Sequence, residues 1–265
     1  MALDYPSALR TPTVLPSYAH PPLVTVRMGI RCPLPVVIDT EVFAGLLGPT
    51  WLKSDRLQPS PQWTRMGFAE ETLQAAFAGV LGDQHLEVQA NGIDFHWDGR
   101  SGESYPHYET LRDAFVTAFD AWSQSASVSS IVPQRWHVSY WNRIPQGTVW
   151  SKLDDLRFCR LLASAGETPF ATRLIDFQQT WIYREAESPS QLRCDAWLER
   201  NEQSLAENVI WLALTSTGQA DDPQLVPDDV DNDWLSGLDT GRRAIVSGFR
   251  GLMSVHANAY WGLAD

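Results

Sequence analysis

Residues 86–97 read LEVQANGIDFHW. Two runs of alternating apolar and polar residues flank Asn91-Gly92. An Asn-Gly pair favours the positive φ angles of a tight hairpin turn, so strands are expected at about 85–89 and 93–97. Working outward, Leu23 to Arg31 (LVTVRMGIR) is β-branched and partly alternating, and reads as a further strand. Asp39 or Thr40 can cap the helix TEVFAGLLG, with Phe43, Leu46 and Leu47 on one face and Gly48 at its end. The segment 70–82 is open between helix and irregular strand. From about Tyr108 to Ser123, Leu111, Phe115, Ala118, Phe119 and Trp122 recur at helical spacing, which predicts a long amphipathic helix.

The second half repeats this order. A strand is expected at 135–144, a helix at 151–163, and three strands in TRLIDFQQTWIYRE, QLRCDAWLER and NVIWLALTS. A last helix runs from about Leu235 to Ser254. ETLRDAFVTAFDAW (109–122) aligns without a gap on DTGRRAIVSGFRGL (239–252). Thr110/Thr240, Arg112/Arg242, Ala114/Ala244, Val116/Val246 and Phe119/Phe249 are identical. Val26, Arg31 and Pro33 fall over Val138, Arg143 and Pro145. Shared order of several short matches points to duplication. The expected fold is α+β: duplicated β-α-β-β-β-α halves, at 21–130 and 131–265, forming one curved antiparallel sheet covered by two long helices. That shape is helix-grip or saddle-like. Residues 1–20, with several prolines and no apolar core segment, read as an extended arm rather than a signal peptide.

Composition narrows the function classes. The 265 residues carry a net charge of −12, which disfavours nucleic acid and acidic membrane surfaces as partners. No run of about 18 apolar residues suggests a membrane span. Cys32, Cys159 and Cys194 are odd in number and widely spaced, so they read as buried hydrophobes rather than a disulfide or zinc framework. Twelve tryptophans are available for core or interface.

Motifs that carry chemistry are missing from the sequence. It holds no GxxxxGK[ST], GxGxxG or GxSxG pattern. The six histidines never fall in HExxH spacing, and His96 with His107 is a weak pair. A calcium loop started at Asp229 would place Trp234 where glycine is required and Thr240 where a bidentate Glu belongs. No catalytic residue, metal site or cofactor is therefore expected. The candidate ligand-binding residues are Arg112 and Arg242, at matching places in the two long helices, with Asn142 and Arg143 after an aromatic run. The arginines read first as structural, bonding carboxylates or strand-end carbonyls to lock helix to sheet, and only second as flanking a groove for an anionic ligand.

A wider resemblance rests on LEVQANGIDFHW, YPHYETLRDAF, QRWHVSYWNRI and GRRAIVSGFRGL with a terminal YWG. From Pro21 to Gly262 the chain resembles a sporadically distributed bacterial family. Tyr105, Pro106, Tyr108 and Glu109 match one motif of that family. Tyr140, Asn142 and Ile144 match another, with Trp141 replacing its usual aliphatic residue. The resemblance implies a cytoplasmic bacterial protein and brings no activity, cofactor or catalytic residue. The leading expectation is a non-enzymatic protein-binding or accessory protein, such as one in a defence or toxin-neutralising module, that meets a protein partner or self-associates. The alternative is a small-molecule module with a pocket between helices and sheet.

Overall fold

A computed structural model describes residues 15–54, 73–99, 105–126, 131–153, 156–163, 176–184, 190–200, 208–219 and 233–264. The described elements are β1 (Leu23–Arg31), α1 (Thr40–Leu47), β2 (Trp51–Lys53), β3 (Leu73–Gly79), β4 (Gln84–Gln89), β5 (Gly92–Asp98) and α2 (Tyr108–Ser125). They continue with β6 (Arg135–Pro145), β7 (Gln178–Arg184), β8 (Gln191–Glu199), β9 (Val209–Gln219), α3 (Asp233–Leu252) and α4 (Val255–Tyr260). The strands are ordered β2-β3-β4-β5-β1-β6-β9-β8-β7 in one α+β sheet. Its registered pairs β1·β5, β2·β3, β3·β4, β4·β5 and β7·β8 are all antiparallel.

Contacts group the chain into two compact units. One comprises 25–138 and 217–238; the other comprises 1–24, 139–216 and 239–265. Each draws on separated segments, unlike the consecutive halves expected from the sequence.

In the first unit, alternation decides which face of the sheet carries the apolar side chains. Val26, Met28 and Ile30 of β1, Leu86 and Val88 of β4, and Ile93, Phe95 and Trp97 of β5 are buried. On α2 the five residues at helical spacing, Leu111, Phe115, Ala118, Phe119 and Trp122, are buried too. Phe95 meets Phe115 with ring centroids 6.4 Å apart. Burying a Phe or Leu of this kind contributes about 1.5–3 kcal/mol. Asp39 caps α1: its Oδ1 accepts from the backbone N–H of Glu41 (3.0 Å) and Val42 (3.1 Å). Gly48, at φ 78°, ends the helix. Leu46, expected on the buried face, is 45% exposed, while Phe43 and Leu47 are buried.

The hairpin forms as expected, but not with the expected turn. Gln89 pairs with Gly92, leaving Ala90 and Asn91 as the turn. Neither they nor Gly92 has positive φ. Glycine is required at 92 for another reason. A Cβ there would overlap the Ile30 carbonyl oxygen and come within 2.8 Å of Arg31 Cδ. The turn is held by neighbours instead: Cys32 N–H donates to the Asn91 carbonyl (2.7 Å) and Val36 N–H to that of Ala90 (2.6 Å).

The ambiguous segment 70–82 contains strand β3, flanked on both sides by pairing to β2 and β4. Ladder bonds and burial of Ala75, Ala76 and Phe77 override the helix preference of its alanines. Trp136 of β6 lies against Gly218 and Gly237, where a Cβ would overlap its indole. Replacing a helical Gly by Ala ordinarily stabilises. Gly237→Ala is therefore a diagnostic change: a loss of about 1–3 kcal/mol on chemical denaturation is expected from overpacking.

In the second unit, the helix expected at 151–163 is not present among the described residues. Cys159 instead forms an isolated bridge with Met253. Arg160 N–H donates to the Leu252 carbonyl and Ser254 N–H to that of Phe158, both at 2.8 Å, which diverts two amide groups from any helical ladder. The same bridge explains why α3 stops at Leu252. Ser254 then caps α4 by accepting from Ala257 N–H at 3.1 Å. Ser17 to His20 dock on the chain's own tail. Ala19 N–H donates to Gly262, His20 to Trp261, and Ala264 to Ser17. Tyr18 hydroxyl donates to Asn258 Oδ1 at 2.8 Å. Residues 1–14 of the expected arm lie outside the described residues.

Among the described residues nine tryptophans are buried, so most of the tryptophan excess belongs to the core. Cys32, Cys159 and Cys194 are free and buried. Burial pushes the thiols of Cys32 and Cys159 up to about 11, and that of Cys194 higher still, so all three are unreactive at neutral pH.

Candidate functional site

The face of the first unit's sheet opposite its apolar residues carries charge. Register sets the rows. Arg27 stands across from His96, and His96 from His85; Gly29 from Asp94, and Asp94 from Glu87; Arg31 from Gly92, and Gly92 from Gln89. Arg27, Asp94, His96, Gln89 and His137 of β6 are all buried.

Asp94 is the centre. Its Oδ2 accepts from Arg27 Nη2, from Arg31 Nη2 at 2.8 Å and from Gln89 Nε2 at 3.0 Å. Its Oδ1 accepts from Arg31 Nη1 at 3.2 Å and lies 3.0 Å from His137 Nε2. Glu87 Oε2 is 4.0 Å from Arg27 Nη2 and 3.5 Å from His96 Nε2. Two guanidinium groups thus face two carboxylates. A single carboxylate on β5 collects donors from β1, β4 and β6.

Space for this arrangement is made by glycine. A Cβ on Gly29 would overlap Asp94 Oδ1 and His137 Cε1, and would stand 2.8 Å from His137 Nε2. The missing side chain at Gly92 leaves room for Arg31 to reach across the hairpin.

The electrostatics follow from the geometry. Burial alone would raise the Asp94 pKa, but Arg27, Arg31 and His137 outweigh it and hold the carboxyl well below the usual range. Glu87 is lowered as well, with His96 and Arg27 opposing its burial. Burial, aided by the two arginines, pushes His137 down to about 4 despite the adjacent carboxylate. The imidazole is therefore neutral near pH 7. Because ionised Asp94 can only accept, the ring proton sits on Nε2.

A stability prediction comes from this shift. Unfolded, His137 titrates near 6.5; folded, near 4. Between these values the unfolded chain binds the extra proton, so acid favours unfolding. The contribution is fully present above pH 6.5, and roughly 3 kcal/mol is lost as pH falls to about 4. Urea midpoints measured from pH 7.5 to 4 should show this slope, and His137→Gln should flatten it.

Ligand-type atoms of Glu87, Asp94 and His96 lie within 4.8 Å of one another, a spacing that suits a cation. The donor set does not fit one. Both Asp94 oxygens are occupied, and a divalent ion would be forced against two guanidinium groups.

The four sequence-derived candidates stand elsewhere. Asn142 is buried, and its Nδ2 donates to the Leu212 carbonyl at 3.1 Å, a strand-to-strand contact. Arg143, next in β6, faces the other way and is exposed, with its backbone N–H on the Pro22 carbonyl. Arg112 is half-buried, 3.6 Å from Asp113 Oδ1, and Arg242 is half-buried on α3. Arg112 belongs to the first unit and Arg242 to the second.

None of the charged cluster was among those candidates, although a signal for it existed. Once the hairpin is placed, Glu87 lies directly opposite Asp94, and like charges facing each other are unfavourable unless a cation joins them. Arg27 and Arg31 alternate with Val26, Met28 and Ile30 on the neighbouring strand and supply that cation.

No family model matches the chain, and no curated protein or solved structure matches it significantly. The family resemblance drawn from the sequence rests on its quoted motifs.

Proposed function

We propose that this chain is a non-enzymatic protein-binding protein, and that the Asp94 cluster is a fastener within its scaffold. The observation that carries this reading is the saturation of Asp94. Its two oxygens, on β5, face five donor atoms from three other strands, so its charge serves to tie the sheet rather than to meet a substrate. The charge of −12 suits a basic partner surface.

Duplication belongs to the same proposal. It is supported by a strand order that reads alike from either end, β3-β4-β5-β1 against β7-β8-β9-β6. A cytoplasmic location is part of it too; no described helix is long and apolar enough to cross a membrane.

The anionic-ligand alternative finds little support in the first unit. Leu111, Phe115 and Trp122 of α2, like Met28, Ile30 and Phe95 of the sheet, have no exposed surface, which is the mark of close packing rather than a pocket.

Native mass spectrometry of the gently purified full chain tests the reading. A stoichiometric second polypeptide is the expected result. A bound small molecule in place of a polypeptide would overturn it.

A further inference from the structure

Strand β7 is the last strand of the sheet order, bonded to β8 through the register Gln178↔Trp197 to Arg184↔Gln191. Edge strands offer a row of main-chain donors and acceptors to any other strand, and proteins usually blunt them with short length, charge or proline. The opposite edge is blunted: β2 has three residues, ending at Lys53, whose Nζ pairs with Glu41 at 3.2 Å. β7 carries none of these protections along its middle. Its seven residues, QQTWIYR, contain no proline and one charge, at the end. Ile182 is 60% exposed. The strand is also held in place beforehand. Thr180 Oγ1 donates to Asp195 Oδ1 at 2.6 Å, and Arg193 grips the same carboxylate through Nε (2.8 Å) and Nη2 (2.9 Å).

We propose that β7 is the docking edge for a second copy of this chain, paired antiparallel about Trp181. This deepens the protein-binding reading and rests on it. The strand is complementary to itself about that residue. Trp181 meets Trp181, Thr180 meets the β-branched Ile182, and Gln178 meets Arg184, so no like charges face each other. The two Arg184 side chains fall at opposite ends of the pair. Six residues separate them, roughly 20 Å, beyond the screening length of about 8 Å. In a chain of charge −12, the seven residues of β7 place no carboxylate in the strand that a second copy would pair with.

Sedimentation equilibrium of the full chain at about 50 μM, well above the Kd of a micromolar interface, tests this. The expected mass is about twice the 29.7 kDa of one chain. Ile182→Glu should return it to a monomer with an unchanged circular-dichroism spectrum. If that variant does not fold, the exposed pair Gln178→Glu with Arg184→Glu, which sets like charges opposite at both ends, should do the same. A monomeric wild type overturns the inference, as does a dimer that survives the substitutions. A monomer that still carries a foreign polypeptide in native mass spectrometry leaves the binding-protein reading standing and removes only this edge.

Discussion

Replacing Asp94 by Asn is expected to cost about 3–5 kcal/mol, a large share of the stability of an ordinary domain. The substitution keeps the shape and removes the charge. Arg27, 4% exposed, and Arg31, 14% exposed, then lose the charge of their shared carboxylate, while Glu87 stays 4.0 Å from Arg27. Desolvation of the two guanidinium groups persists while the attraction that offset it is gone. The charged pair is not itself a strong source of stability, since an apolar cluster of equal volume would serve as well; the cost arises from breaking it one-sidedly. Urea denaturation at pH 7.5 measures the effect, and a loss below about 1 kcal/mol would show that water reaches the arginines.

Gly29→Ala should be comparably damaging, at about 3 kcal/mol, although it adds one methyl group to a strand where Ala is normally no worse than Gly. That methyl would occupy the space of Asp94 Oδ1 and the edge of the His137 ring. One of them must move, and moving either separates Nε2 from the carboxylate. The two substitutions act on one network, so their costs should not add: the double variant Gly29→Ala with Asp94→Asn should lie well short of the sum. Equilibrium unfolding of the four-member cycle gives the coupling directly. Full additivity would place the glycine's role elsewhere.

Elements with a strong local signal were legible from the sequence. β1 spans the residues expected, α1 begins at the expected cap and ends at the expected glycine, and the five apolar positions of α2 are all buried. The failures have a common cause in contacts distant along the chain. The segment at 156–163 has helical spacing, but its pairing with Met253, roughly ninety residues on, diverts the amides a helix needs. Ala75 and Ala76 favour helix until strands on both sides claim them. Gly92 suggested a positive φ, whereas its function is to make room for the Ile30 carbonyl and the Arg31 side chain.

The candidate site was less legible. Arg112, Arg242, Asn142 and Arg143 drew attention by symmetry and by neighbouring aromatics, which are local features of the sequence. The Asp94 cluster is built from four strands and becomes visible only after register places Glu87, Asp94 and Gly29 in one row. His137 enters from a strand forty residues further along, where sequence offers only a histidine between Trp136 and Val138. Nothing local marks it as the partner of a carboxylate.

The most direct test of the central claim is a ¹H–¹⁵N correlation spectrum of the His137 ring, followed from pH 8 to 3.5 with and without added zinc. A closed, satisfied fastener predicts a neutral ring protonated on Nε2, no titration until the pH approaches about 4, and no response to zinc. Titration near 6.5, or a shift on adding zinc, would contradict it and make the cluster a reactive or metal-binding centre.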